Sequence, residues 1–380
     1  MSVAGRIITT SRGYKCFLPN PLPPTINWDL NLINALSDAD RVLGQLAGEG
    51  QRLPNPYLLI RPFIAREAVL SSRIEGTQAT LGEVLAAKAG AAVAASLAPD
   101  LQEVNNYIIA LEYGIQRLAT LPLSLRLMRE LHEKLMQGVR GQHATPGDFR
   151  VSQNWIGVAG CTIATATFVP PAPEDLLGCL AALENFFRDQ QWPPLVQIAL
   201  IHYQFEAIHP FLDGNGRVGR LLIALYLLER QILPAPVLYL SAFFEATRPE
   251  YYARLLAVSR QNDWAGWLQY FLNGVARQAE DAASRAYRIN LLLDQWRQTA
   301  AGLSTTVPQR LITCLAANPF LTIKQTAAQL ELTYATVQRA VARLVALDIL
   351  QEVGDNRRNR VYCAKQILAI LEEPARILAS

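Results

Sequence analysis

The chain has 380 residues, 51% of them hydrophobic and 18% charged, with a formal net charge of +3. That length exceeds one ordinary core and predicts two or three domains. The composition excludes a disordered chain, and the charge neither marks nor excludes a polyanion partner. Five scattered cysteines (Cys16, Cys161, Cys179, Cys314, Cys363) offer no zinc spacing and no disulfide framework. With no secretory leader in the first residues and no uncharged run of membrane length, the expectation is a soluble, cytoplasmic protein without membrane contact.

Residues 1–56 are rich in Pro, Asn and Gly and read as an arm carrying one amphipathic helix near Trp28–Ala47. Tyr57–Leu70 is a mainly helical pattern interrupted by Pro62. In the next stretch, Ser72-x-x-Glu75 fits a capping box, with Gly76 as a backbone break. The apolar pattern already runs before Ser71, however, so no helix should start there. A carboxylate in this stretch would compete with an anion if it reached a phosphate-binding arginine, but spacing alone does not place Glu75 at one. The alanine-rich residues 86–99 read as a helix end and connector. Helices follow over Asp100–Thr120, spaced by Val104, Tyr107, Ile108, Leu111 and Ile115, and over Ser124–Gln137, where His132 reads as structural. The β-branched run Thr162–Val169, inside Gly147–Pro171, predicts a small hairpin.

The chemistry concentrates in His209-Pro-Phe-Leu-Asp-Gly-Asn-Gly-Arg-Val-Gly-Arg220. Apolar runs on either side, Leu195–Ile208 and Leu221–Leu233, predict two enclosed helices joined by a tight polar turn. Gly214, Asn215 and Gly216 can aim backbone N–H groups at one point, where the second helix also presents its unpaired N–H groups. Arg217 and Arg220 are three apart and share a face. Asp213 is a hard oxygen ligand suited to Mg²⁺, and His209 a base near neutral pH. Each part alone is commonplace. Two cations in a first helical turn are unfavourable without an anion, and the set within twelve residues predicts a nucleotide or phosphate site.

His209–Arg220 resembles, at every fixed position, the HPFx[D/E]GNGRxxR motif of the Fic family. The resemblance implies a mainly α fold: a Fic-type helical core (99–298) with a small β-hairpin flap, an N-terminal helical region (1–98) and a C-terminal winged helix–turn–helix (299–380). It implies protein adenylyltransfer, AMP passing from ATP to a Tyr, Thr or Ser hydroxyl of a target protein or of the chain itself. His209 is then the general base, Asp213 the Mg²⁺ ligand, and Gly214, Asn215 and Gly216 the anion hole. Arg217 and Arg220 hold the phosphates, and Phe211 anchors the loop. Ser71-x-x-x-Glu75-Gly76 is similar to the [S/T]xxxE[G/N] inhibitory motif of the family. It implies that Glu75 pairs with Arg220 and obstructs the γ-phosphate, with removal of AMP from modified targets as a further role. The DFRxSQNWIG…FVPP stretch looks like the family's flap, which docks a target segment by strand addition, with Thr167 and Phe168 as its candidates. Tyr251 and Tyr252 correspond to the border of the adenine pocket. There the chain departs from the pattern, with Phe243 where Tyr is common and Thr247 where Asn is common.

In the last eighty residues, Thr322–Leu330 and Thr333–Leu347 are helical patterns, each with a threonine suited to an N-cap. Leu350–Val353 and Val361–Cys363 alternate as strands around a turn holding Arg357, Arg358 and Arg360. The arrangement resembles a winged helix–turn–helix, with Thr336, Gln338, Arg339 and Arg343 on its recognition helix. Such modules bind DNA or serve only in protein contact and dimerisation, and both stay open here. Two rivals remain: another transfer in the same site, and a DNA-binding regulator whose Fic core senses nucleotide.

Overall fold

The computed structural model describes residues 4–52, 56–139, 145–302, 305–354 and 360–375. Arg357 and Arg358 lie outside the described residues. The chain opens with an antiparallel hairpin, β1 (Gly5–Thr9) and β2 (Lys15–Pro19), in the register Gly5 to Pro19 and Thr9 to Lys15. This replaces the irregular arm expected from composition. A turn at Thr10–Gly13 closes it, and the buried Cys16 and Phe17 tie β2 to the body. Helix α1 (Leu30–Arg52) follows and lies along α11 (Trp264–Ala300), its apolar stripe of Leu32, Ala39, Val42, Leu43 and Leu46 buried.

Helix α2 (Pro56–Ile74) passes through Pro62 without a break. The expected interruption is absent because burial of Ile60 before that residue and of Phe63, Ile64, Ala65, Ala68 and Val69 after it outweighs one missing helical hydrogen bond. Ser71 therefore sits inside the last turn of α2, and Ser72 and Glu75 form no capping box. The box is formed instead by Thr80 and Glu83 at the start of α3 (Leu81–Lys88). Helices α4 (Ala98–Arg117) and α5 (Leu125–Leu135) follow, with Ser124 as the N-cap of α5.

The next three helices, α6 (Pro173–Phe187), α7 (Pro194–Ile208) and α8 (Asn215–Glu229), form the centre. Nearly every residue of α7 is buried, as its all-round apolar sequence requires. Between α5 and α6, the hairpin expected over Thr162–Val169 reduces to one antiparallel bridge, Ile156 with Phe168. Thr162 and Thr165 bond to each other locally, through side chain and backbone, and so divert the segment into a turn. Helices α9 (Ser241–Ala246) and α10 (Arg248–Gln261) lead into α11.

Beyond α11 come α12 (Val307–Ala317), β3 (Phe320–Thr322), α13 (Ile323–Leu330), α14 (Tyr334–Ala346), β4 (Gln351–Val353), β5 (Val361–Cys363) and α15 (Lys365–Glu372). The strands form an antiparallel sheet in the order β3-β5-β4. Thr333 caps α14 as expected, but Thr322 makes no cap: its hydroxyl donates to the carbonyl of Ala89. That bond, with Asn318 donating to Leu85 O and Gln325 to Lys88 O, fastens the tail to α3. Arg285 of α11 reaches the carbonyls of Ile370, Glu373 and Pro374 at the end of α15. Among the described residues, no helix is long and apolar enough to cross a membrane.

Candidate active site

The site is built where α7 stops and α8 starts. His209 ends α7 in the left-handed conformation (φ 50°, ψ 62°), which turns the chain sharply out of the helix. Gly214, also left-handed (φ 77°), precedes α8 as its N-cap. A Cβ there would lie 3.0 Å from Met136 Sδ, so the position demands glycine for both backbone and space.

Between these two points the loop is pinned from several sides. The Asn215 side chain accepts from Phe211 N–H and donates to Phe211 C=O, both at 2.8 Å, and is buried. Its amide is thus spent on the loop, and only its backbone N–H remains for an anion. Phe211 is fully buried, its ring stacked 3.8 Å from the imidazole of His132. His132 Nε2 lies 3.0 Å from Asp213 O, and Gly147 N–H donates to its Nδ1. Because Nδ1 accepts, Nε2 must carry the proton, and the ring is neutral. His132 is structural, as read from sequence, and it fixes the carbonyl of the metal-ligand candidate.

Sequence reasoning did not single out Arg150 and Asn154. Arg150 Nε donates to His209 O at 2.9 Å, and its Nη2 to Pro171 O at 2.6 Å. Asn154 donates to Phe211 O at 2.8 Å. An arginine and an asparagine within the irregular DFRVSQNW run were the available signal, since buried loops need side-chain donors for their carbonyls.

The geometry brings the two arginines and the two candidate inhibitory residues together. Arg220, almost wholly buried, donates from Nε to Ser71 Oγ at 2.8 Å and from Nη2 to Ser71 O at 3.0 Å. Nη2 also meets Glu75 Oε1 at 2.6 Å. A Cβ on Gly216 would collide with that same Glu75 oxygen and lie 2.9 Å from Arg220 Nη1. The carboxylate therefore hangs directly over the first turn of α8, where helical N–H groups lack partners. Burial raises the Glu75 pKa, but the Arg220 guanidinium outweighs it and holds the carboxyl below its ordinary value. Arg217 is equally buried and meets Glu103 Oε2 at 3.4 Å and Asp213 Oδ1 at 3.6 Å.

Asp213 is about half exposed, and its Oδ1 accepts from Gly214 N–H at 2.6 Å. No cluster of three potential ligands occurs among the described residues. One accessible carboxylate beside the unpartnered first-turn N–H groups of α8 fits Mg²⁺ carried in with phosphate, which keeps most of its ligands as water and phosphate oxygens. It does not fit an all-protein metal cage.

His209 lies at the rim, half-buried. Its Nδ1 is 3.3 Å from Glu206 O, and since a carbonyl only accepts, that nitrogen carries the proton and Nε2 keeps its lone pair. Burial pushes its pKa down to about 4, against the pull of the Glu206 carbonyl. Burial likewise pushes His132 to about 4 and His202 to about 3; the ring of His202 lies between Gly219 O (3.1 Å) and Tyr251 OH (2.8 Å). For such a group the unfolded chain binds the proton more readily. Its stabilisation is present at neutral pH and is lost as pH falls from 6.5 toward the folded value, about 3 kcal/mol each for His132 and His202 by pH 4. We expect the ring-carbon resonances of both to stay flat from pH 8 to 5; a transition in NMR near 6.5 would show the burial argument to be wrong.

Tyr251 is 1% exposed, its ring packed on Phe244 and its hydroxyl on His202. It lies under the site and offers no free face to an adenine, so that expectation is corrected. Tyr252, with Arg248 over its ring, is exposed. In the flap, Phe168 spends both main-chain groups on Ile156 and packs its ring 5.5 Å from Phe17, so it has no main-chain group left for a strand partner. Thr167 is exposed, with its carbonyl accepting from Arg260.

Residues 33–116 match the Fic/DOC family N-terminal region, and residues 122–227 match the Fic/DOC family. The chain is 30% identical over 166 residues to protein adenylyltransferase fic-1 of Caenorhabditis briggsae, a match covering 43% of this chain and 28% of that protein. It is 41% identical over 69 residues to a probable protein adenylyltransferase of Aquifex aeolicus, covering 18% of this chain and 22% of that one. The chain thus spans less than a third of the length of these relatives. Among solved structures, a Fic family protein from Desulfovibrio desulfuricans G20 superposes with a TM-score of 0.61 at 21% identity, over 90% of this chain and 98% of that one. Fic-1 (residues 134–508) of Caenorhabditis elegans gives 0.52 at 24% identity, over 68% and 73%. At these identities the superpositions speak to the fold.

Proposed function

Because the chain belongs to the Fic/DOC family, we propose that it is a protein adenylyltransferase, transferring AMP from ATP to a hydroxyl side chain of a protein, and that Glu75 holds it inhibited. The observation that carries the reading is the Glu75 carboxylate placed on Arg220 and over the first turn of α8. An anion site whose own cation is occupied by a carboxylate from another helix is a site that an anionic ligand would contest.

In the transfer, the first-turn N–H groups of α8, Arg217 and Arg220 bind and orient the triphosphate. His209 Nε2 takes the proton from the acceptor hydroxyl as its oxygen attacks the α-phosphorus, and the bond to the pyrophosphate oxygen breaks. Mg²⁺ would be held by Asp213 and the phosphates, and would offset the charge of the leaving pyrophosphate. Asp213 is kept in place by His132 and Gly214, so the ligand needs no rearrangement. Thr167 and the exposed residues around it form the surface on which a target segment would lie, and Tyr252 is the remaining aromatic at the adenine side.

The tail's helix, strand, helix, helix, strand, strand order supports a winged-helix reading. Its recognition helix α14 exposes Tyr334, Gln338 and Arg339, with Thr336 half-buried. DNA contact, and a homodimer, are proposals on the same footing.

The test uses two labels. With Mg²⁺ and the Glu75→Gly chain, label from the α-phosphorus of ATP should remain on protein and label from the γ-phosphorus should not. Retention of the γ-label would instead identify a phosphotransferase. Retention of neither, with ATP still bound, would favour a nucleotide-sensing core.

A further inference from the structure

Glu206 stands on the last turn of α7, three residues before His209, and the transfer just described makes no use of it. Its Oε1 is buried and lacks a hydrogen-bond partner. A Cβ on Gly219 would meet this oxygen and come within 3.2 Å of His202 Cε1. The carboxyl is therefore packed against the face of α8 that Gly219 leaves bare, one residue from Arg220. The groups facing it are Arg220 on α8, Glu75 from the end of α2, and Tyr251 on α10. On its own helix are His202 and His209, both held neutral by burial.

An ionised carboxylate with an unpaired buried oxygen is costly, and protonation removes the charge at once. Two carboxylates near one guanidinium cannot both be strongly stabilised by it, and Glu75 already has the direct bond. Burial first, and Glu75 in the same sense, raise Glu206 to about 7 against the pull of Arg220. The site's histidines lie well below that value, so near neutral pH Glu206 is the group poised to change charge. Glu67 is also raised by burial and its Oε2 also lacks a partner, but its Oε1 accepts from both Tyr107 and Ser241, which favours the charged form.

We propose that Glu206 is the proton carrier of this site: it holds a proton while a negative charge sits on Arg220 and releases it to water when that charge leaves. With Glu75 on Arg220, Glu206 keeps its proton up to its midpoint near pH 7. When Glu75 is withdrawn, Arg220 loses its partner and Glu206 ionises to serve as the counter-charge. When a triphosphate arrives, Glu206 takes a proton back, so no second carboxylate opposes the phosphate. Only this last step rests on reading the cradle as an ATP site. The exchange with Glu75 needs no nucleotide.

The first experiment follows the ¹³C-carboxyl resonances of glutamates in the full chain against pH, with Glu206 identified by the signal lost in Glu206→Gln. We expect a midpoint near 7 in the wild type, falling by about one pH unit or more in Glu75→Gly, as loss of an adjacent like charge requires. An unmoved midpoint, or an ordinary carboxylate midpoint in the wild type, overturns the proposal. The second experiment is calorimetry of Mg·ATP binding to Glu75→Gly at pH 7 in buffers of different ionisation enthalpy. Net proton uptake is expected, and it should vanish in Glu75→Gly/Glu206→Gln. Equal uptake in both chains overturns the proposal and leaves the ATP reading standing. A midpoint that moves with Glu75 in a chain that does not bind ATP upholds the proton exchange and overturns the ATP reading.

Discussion

Replacing Glu75 by glycine is expected to raise AMP transfer about 10- to 100-fold. The side chain makes a charge-assisted hydrogen bond of 2.6 Å to a cation that is 2% exposed. Bonds of that kind contribute about 1.5–3 kcal/mol, and each 1.4 kcal/mol is a factor of about ten in the population able to accept ATP. The same oxygen blocks the space over Gly216, so removing it opens the cradle as well as freeing Arg220. Glycine also suits the site structurally, since α2 already ends at Ile74 and residue 76 is a left-handed glycine (φ 107°). Ser71 continues to accept from Arg220 Nε, so the arginine stays aimed. The check is initial rate of α-label incorporation and the KM for ATP, side by side in wild type and Glu75→Gly. A rate unchanged at every ATP concentration would mean that the Glu75–Arg220 pair is a structural tie and no brake.

Part of this site is legible in the sequence because its logic is local. The apolar runs on either side of His209–Arg220 could only be enclosed helices, and the glycines between them could only be a tight turn, so α7, the loop and α8 follow from spacing alone. Glu75 is the opposite case. It lies 145 residues from Arg220, and periodicity says nothing about distant partners; only the resemblance joined the two. The capping-box pattern at Ser72–Glu75 is set aside by the apolar run before Ser71, and α2 does run through Ser71 and Ser72. Pro62 misled for a related reason: local propensity proposed a break that burial of the flanking residues overrode. The β-branched residues of the flap segment predict a small hairpin, but Thr162 and Thr165 satisfy one another locally, which strand propensity does not register. Tyr251 shows the limit of carrying a role over by position. Its neighbours bury it, and its hydroxyl is committed to His202.

Removing the base should have the larger effect. In the Glu75→Gly background, His209→Ala is expected to lower AMP transfer by about 10²- to 10⁴-fold, the usual range for a positioned acid–base group. ATP affinity should change little, because the proposed phosphate contacts come from Arg217, Arg220 and α8 and not from the imidazole. The ring is set for this task by its Nδ1–H on Glu206 O, which leaves Nε2 as the only acceptor. Its pKa of about 4 keeps it unprotonated at neutral pH, and the arriving triphosphate charge will raise it, since a negative neighbour such as Glu75 already acts in that direction. The backbone at this position survives the substitution, because Arg150 and Asn154 bond to the His209 carbonyl and not to its side chain. Alanine in the left-handed conformation costs about 1–2 kcal/mol, whereas asparagine tolerates it better, so His209→Asn separates lost chemistry from backbone strain. Both variants should bind ATP and fail to transfer AMP. If His209→Asn transfers as fast as its parent, the proton goes elsewhere and the imidazole serves only to shape the loop.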